Sequence, residues 1–216
     1  MRILVLGADG YLGWPTCMHF ANRGHEVCAV DNYYRRLIAD QTDSNALVTN
    51  PLLPERCEIF ENEFGKQIDC RIGDLSNLEF VLELFADVRP DIVIHYAKQP
   101  SAPYSMIGPK EAQSTFNNNL GVTFNVIWGM IEHCPDAHLI KLGTMGEYGT
   151  PNIDIEEGWI NIEHKGRTDK FLFPRAAGSL YHTTKVLDTD LLWFYVRLYN
   201  LKVTDLMQGP VYGLET

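Results

Sequence analysis

Short, continuous apolar runs alternate along the chain with longer stretches in which apolar side chains recur every three or four positions. Arg2–Leu6, Glu26–Val30 and Asp91–His95 are of the first kind, and with the shorter or interrupted runs Asp69–Ile72, Ala137–Leu142 and Leu201–Leu206 they predict six strands. Gly10 to about Arg23, Asn77–Val88, Lys110–His133 and Leu180–Tyr199 are of the second kind and predict helices. Strands that lack polar alternation are buried on both faces, and their alternation with helices makes a parallel sheet covered on both sides. The expected fold class is α/β, a doubly wound parallel sheet in the order 3-2-1-4-5-6. Two stretches break the rhythm. Residues 32–65 are polar and contain Pro51 and Pro54, and residues 149–177 are rich in glycine, proline and charge. Both are expected to be irregular inserted loops.

Composition narrows the class. The 216 residues are 45% hydrophobic and 21% charged, which suits one domain with a core that needs no disulfides. The net charge of −10 speaks against a nucleic-acid surface. The cysteines, at 17, 28, 57, 70 and 134, are odd in number and never at CxxC spacing. They are expected as reduced, mostly buried thiols, with no metal site. Arg2–Leu6 is too short to span a membrane and no cleavage site follows it, so no membrane insertion is expected and the cytoplasm is the default compartment.

The turn after the first strand reads Gly7-Ala8-Asp9-Gly10-Tyr11-Leu12-Gly13, a GxxGxxG opening a helix. Gly7 permits the tight turn, Gly10 lets backbone approach a pyrophosphate, and Gly13 lets the helix pack against the sheet. The helix N-terminus offers free N–H groups to the phosphates. Asp31 ends the second strand, where a carboxylate binds the adenosine ribose. It repels a 2′-phosphate and favours NAD over NADP, while Arg35 and Arg36 are cations of the kind that accommodate one. The plainer alternative is a strand–helix turn followed by a solvated strand end. After the third strand, Asp74 either accepts from the adenine amino group or caps the next helix.

Tyr181-His182-Thr183-Thr184-Lys185 is a YxxxK, with phenol and ammonium on one helix face. A free tyrosine of pKa about 10 is a poor base at neutral pH. A nearby Lys⁺ is expected to lower that value, so that Tyr181 can take a hydroxyl proton while hydride leaves for the cofactor. The bland reading is a buried tyrosine with a snorkelling lysine. Thr144 ends the fifth strand, at the edge where such sheets bind ligands, and either contacts the reacting hydroxyl or caps the following turn.

Together these residues resemble the extended short-chain dehydrogenase/reductase family, whose cofactor domain is a Rossmann fold. Within it, the chain is similar to the branch of nucleotide-sugar enzymes that makes UDP-sulfoquinovose. The resemblance covers the whole chain. It rests on Gly10–Trp14, on Val30-Asp31-Asn32 with Arg35-Arg36, on Ser101–Ile107, on the long string from Lys141 to Gly158, on His164 with Gly166–Asp169, and on Gln208-Gly209 with Val211-Tyr212-Gly213.

The resemblance implies a reused NAD that oxidises UDP-glucose at C4, loss of the C6 hydroxyl, addition of sulfite or its delivery by a donor protein, and return of hydride. It implies catalytic roles for Thr144, Tyr181, Lys185 and His182, with a helix-surface histidine as the alternative for the last. The implied cofactor residues are Gly7, Gly10, Tyr11, Leu12, Gly13, Asp31, Asn32, Arg35, Arg36, Asp74, Leu75, Ala97, Asn118, Tyr181, Lys185 and Val211. The implied substrate residues are Gln99, Ser101, Tyr104, Thr144 and Gln208. Related 4,6-dehydratases carry an Asp-Glu pair after the threonine, where this chain has Met145 and Gly146, groups that transfer no protons. Lys98 and Pro100 replace a family glutamate and arginine. The family dimerises through long helices such as 110–133 and 180–199, so a homodimer is expected. Its members run well beyond Thr216, so the chain is expected to bind NAD but to turn over UDP-glucose poorly alone. The alternatives are another NAD-dependent UDP-sugar epimerase or dehydratase, and an inactive NAD-binding domain.

Overall fold

The computed structural model describes residues 1–44, 46, 48–156 and 158–212. Glu157 and Gly213, which belong to strings that carry the resemblance, lie outside the described residues. The main sheet contains β1 (Arg2–Leu6), β2 (Glu26–Asp31), β3 (Asp69–Ile72), β4 (Ile92–His95), β5 (His138–Leu142) and β8 (Lys202–Leu206), all parallel. Their spatial order, β3-β2-β1-β4-β5-β8, is the expected doubly wound order. Leu6 pairs with Val30 on one side and His95 on the other, so the carboxyl ends of the three central strands lie level. The direction of winding reverses between β1 and β4, and a crevice opens there.

Helices α1 (Gly13–Asn22), α2 (Tyr34–Gln41), α3 (Leu53–Phe64), α4 (Leu78–Val88), α5 (Pro109–His133) and α6 (Leu180–Tyr199) cover the sheet. Successive side chains of a strand point to opposite faces, which divides the core in two. Leu4, Leu6, Cys28 and Val30 pack with Phe85 of α4, Val126 and Met130 of α5 and Leu192 of α6. Ile3, Val5, Val27 and Ala29 pack with Trp14 and Cys17 of α1 and Leu53 and Phe60 of α3. All five cysteines are free thiols; Cys17, Cys28 and Cys57 are buried and the other two half-buried. Among the described residues no helix is long and apolar enough to cross a membrane.

The two stretches expected to be irregular are not. Residues 32–65 hold α2 and α3. Pro54 looked like a breaker, but it sits in the first turn of α3, where its missing N–H has no helical acceptor to lose. The buried face of α3 is Leu53, Arg56, Cys57 and Phe60, a helical period disguised by an arginine. Residues 149–177 hold an antiparallel hairpin, β6 (Trp159–His164) and β7 (Arg167–Leu172). Lys165 and Gly166, at φ +52° and +71°, close it with a two-residue loop whose twist matches the strands. Its strands are mostly exposed, so no apolar alternation marks them.

Candidate functional site

The crevice at the carboxyl edge has a volume of about 660 Å³, within the range of small-molecule and cofactor sites. Its floor is the turn between β1 and α1. Gly7 has φ +87°, and a Cβ there would lie 2.7 Å from the backbone nitrogen of Ala97; a Cβ at Gly13 would overlap the carbonyl oxygen of Gly7. Only bare backbone fits at these two positions, so the turn brings main chain up to the crevice where α1 begins; Trp14 N–H donates to Gly10 O and Thr16 N–H to Leu12 O. Gly10, Tyr11, Leu12, Asp31, Asn32, Arg35, Asp74, Leu75, Ala97, Asn118 and Val211 line the same crevice. Asp31 accepts from the N–H groups of Asp9 (2.9 Å) and Tyr33 (2.7 Å). Burial pushes its carboxyl above the usual range, the Asp9 carboxylate adds to this, and the two N–H groups oppose it. Asp74 accepts from Ser76 N–H, whereas Asn77 caps α4 through the N–H groups of Glu79 and Phe80. The capping alternative for Asp74 is thereby removed. A glycine turn at the start of a helix and a carboxylate at the end of β2 suit a dinucleotide.

Arg36 departs from expectation. It does not line the crevice. Its guanidinium grips both carboxylate oxygens of Asp9 at 2.7 and 2.8 Å and donates to the carbonyls of Asn50 and Pro51. Arg56 binds the same carboxylate from α3 and lies over the Trp14 ring. Asp9, Tyr96 and Lys98 also face the crevice and were not singled out as contact residues from the sequence. The partners of Asp9 lie 27 and 47 residues away, beyond any local motif.

The reactive edge is built by α6. Ser179 caps it, accepting from His182 N–H at 3.2 Å, and its hydroxyl lies 2.9 Å from Nδ1 of His182. The N–H of Tyr181 donates to Ser105 Oγ at 3.1 Å. Tyr181, His182, Thr144 and Gln208 line the crevice together, with Met145 and Gly146 beside them. A Cβ at Gly146 would overlap Cδ2 and Nε2 of His182, so the imidazole fills the space a side chain there would need. Thr144 Oγ1 accepts from Gly146 N–H at 3.1 Å, capping the short turn 145–147. Its hydroxyl hydrogen stays free for a second partner.

Lys185 lies under this edge, 2% exposed. Its ammonium is 5.7 Å from the Tyr181 ring centroid and donates to Leu142 O at 2.7 Å. Burial, with Lys141 and Lys98 nearby, depresses it to about 7. The Tyr181 phenol is pushed up to about 12 by burial, and Tyr11, Asp188 and Glu147 act in the same direction. The expected lowering of the tyrosine by the lysine is therefore absent here. The ammonium is drawn to a carbonyl, and desolvation of the phenol dominates. His182 is lowered by burial and by Lys185, which keeps it neutral at pH 7.

These shifts fix a sign for stability. Lys185 has a folded value near 7, below its ordinary 10.5, so between these pH values the unfolded chain holds a proton that the fold refuses. Stability from this group is lost as pH falls from 10.5 towards 7, and no more is lost below that. The buried Lys98 is shifted in the same direction. Thermal midpoints are expected to rise from pH 7 to 8.5, below the ordinary thiol value of 9.0, and Lys185→Met is expected to flatten the rise. A falling midpoint would show that the buried lysine keeps its proton.

Three expected substrate residues lie off the crevice. Gln99 is fully buried and its amide is used up within the protein, donating to Thr115 Oγ1 and Ser101 O and accepting from Ser101 N–H. Ser101 Oγ accepts from Tyr104 N–H, and Tyr104 is buried. This turn leads into Ser105, so it supports Tyr181 from behind.

A profile of the NAD dependent epimerase/dehydratase family matches residues 3–216. The chain is 45% identical over 215 residues to the chloroplastic UDP-sulfoquinovose synthase of Spinacia oleracea, covering 100% of this chain and 45% of that protein. It is 45% identical over 217 residues to the UDP-sulfoquinovose synthase of Sulfolobus acidocaldarius, covering 100% and 55%. The chain thus spans about half the length of the curated relatives it matches. In fold it is similar to the UDP-glucose 4-epimerase of Thermotoga maritima solved with UDP-glucose, with a TM-score of 0.71 at 21% identity over 100% of this chain and 57% of that one. With a crevice of dinucleotide form and a family profile over nearly its whole length, the chain belongs to the NAD dependent epimerase/dehydratase family, and its cofactor is NAD.

Proposed function

We propose that the chain carries the NAD-binding and hydride-transfer groups of an enzyme that converts UDP-glucose and sulfite to UDP-sulfoquinovose. The observation that carries this reading is the edge beside Thr144, where Met145 and Gly146 provide no acid or base and the neutral imidazole of His182 fills the vacated space. Whole-chain identity to two synthases of that name supports it.

Bound in the crevice by the Gly7–Gly13 turn and Asp31, NAD would supply a reversible hydride acceptor for C4 of the glucose. Tyr181 Oη takes the C4 hydroxyl proton. Thr144, whose oxygen already accepts from Gly146 N–H, donates its hydrogen to the same substrate oxygen. Lys185 supports the nicotinamide ribose and, when charged, opposes the rise in the phenol's pKa. The C4 ketone acidifies C5–H. His182, neutral at pH 7 and oriented by Ser179, removes that proton and hands it to the C6 hydroxyl, which leaves as water. Hydrogen sulfite then bonds to C6 through sulfur and gives up its proton, by way of His182, to C5, and Tyr181 reprotonates the C4 oxygen as it is reduced. Asp31 binds the adenosine ribose, Asn118 lies at the nicotinamide end, and Gln208 contacts the sugar.

The complete protein, given UDP-glucose and sulfite, is expected to form UDP-sulfoquinovose, detected by mass spectrometry. Sulfite-independent epimerisation or dehydration would replace this reading with a related sugar-nucleotide reaction, and NAD binding without turnover would favour an inactive domain. Residues 1–216 alone are expected to retain NAD and turn over slowly. The homodimer is kept as part of the proposal, supported by Phe116, Phe124, Phe194 and Leu198 exposed on α5 and α6. So is a reducing compartment such as the cytoplasm, supported by the free thiols.

A further inference from the structure

The dinucleotide reading leaves one charged group unexplained. Asp9 stands inside the phosphate-binding turn, yet its carboxylate is only 8% exposed. A buried carboxylate beside a pyrophosphate site is unfavourable for anion binding unless it is neutralised. Arg36 and Arg56 both close on it.

The arrangement bears on the adenosine ribose. The N–H of Asp9 donates to Asp31 Oδ2, and repulsion from the Asp9 carboxylate contributes to the raised value of Asp31. Arg36 would be the natural cation for a 2′-phosphate at this end of β2. Four of its N–H groups are already used, two on Asp9 and one each on Asn50 O and Pro51 O. Its planar fork meets the carboxylate in the bidentate geometry that it would otherwise offer a phosphate. Arg35 is left exposed at the crevice, stacked on Tyr11 at 5.3 Å. A 2′-phosphate, carrying about −1.5 to −2 charges at pH 7, would meet two carboxylates and find Arg36 occupied.

We propose that Asp9 is a specificity-determining residue: by holding the Arg36 guanidinium it withholds from NADP the cation that would receive the 2′-phosphate. Asp31 excludes that phosphate by repulsion, and Asp9 excludes it by engaging its counter-ion. This rests on the dinucleotide reading of the crevice.

The test is a titration of the chain with NAD and with NADP, followed by calorimetry. The wild-type chain is expected to prefer NAD by at least tenfold. Asp9→Asn keeps the shape of the side chain and removes its charge. It is expected to raise the ratio of NADP to NAD affinity about tenfold, and the double variant Asp9→Asn/Arg36→Gln is expected to return the ratio to the wild-type value. An unchanged ratio in Asp9→Asn overturns the proposal. So does a gain that survives Arg36→Gln, because Arg35 or charge removal alone would then explain it. If Asp9→Asn does not fold, Arg36→Gln alone decides. Withheld as proposed, the guanidinium contributes nothing to NADP, so a further fall in the ratio overturns the proposal and a steady ratio supports it. Failure of the wild-type chain to bind NAD would instead overturn the reading of the crevice.

Discussion

Tyr181→Phe is expected to lower turnover of UDP-glucose in the complete protein by about 10²–10⁴-fold, the usual contribution of a positioned acid–base group. The substitution removes one oxygen and leaves the ring. Its backbone anchor, the N–H to Ser105 Oγ, is untouched, and so is the stack of Lys185 on the ring. Folding and NAD affinity should therefore persist while C4 oxidation stops. Bound NAD is read directly by its absorbance after denaturation, and hydride transfer by the appearance of reduced cofactor on adding UDP-glucose. Unchanged turnover would remove Tyr181 as the base. The high resting value of the phenol, about 12, adds a second expectation. Activity should climb with pH through the neutral range, because the small phenolate fraction grows tenfold per unit until bound substrate and cofactor set a new value.

Lys141→Met is expected to have the largest effect on stability. The ammonium is fully buried in β5, 2.9 Å from Thr189 Oγ1, 3.0 Å from Asp205 Oδ2 and 3.5 Å from Glu147 Oε1. Methionine fills much of the same volume but leaves two carboxylates without this partner. Breaking a buried pair in this way costs about 3–5 kcal/mol. At roughly 2–4 °C per kcal/mol for a chain of this size, the melting midpoint should fall by about 10 °C. The deficit has a pH signature. Glu147 is raised above its ordinary value, chiefly by burial. Its protonation removes the stranded charge, so the gap between variant and wild type should narrow as the solution is acidified. A gap that widens on acidification would mean that Glu147 is not the group left stranded.

The same residues show what can be read from sequence alone. β1, β2 and β4 were legible as continuous apolar runs between turn residues, β3, β5 and β8 are interrupted by polar side chains, and the order followed from alternation with helices. The crevice was legible where a local spacing encodes it, as in Gly7–Gly13 with Asp31 and in Tyr181 with Lys185. Spacing puts the phenol and the ammonium on one helix face, but it does not say that Leu142 O draws the ammonium down. Nor does it reveal Asp9, whose partners come from α2 and α3. Helix α3 was hidden because its buried stripe contains Arg56, an apolar position by location and a polar one by type. Gln99, Ser101 and Tyr104 looked like contact residues because the string is unusual, whereas their hydrogen bonds build a turn that braces Tyr181.

The level ends of β1, β2 and β4 have a consequence for synthesis of the protein on the ribosome. The cofactor turn is the first strand–helix connection of this chain, yet it is not finished by its neighbours in sequence. Gly7 N–H donates to Val30 O, and the same glycine is backed by the chain at Ala97. Strand β1 is central and must be flanked by β2 and by β4, which emerges about ninety residues later. Parallel pairing of this kind closes long loops and is slow. A nascent chain therefore has no dinucleotide site until the segment through Ala97 has cleared the exit tunnel, and it has no reactive edge until α6 follows. Binding is assembled before chemistry, in the order in which the chain is made.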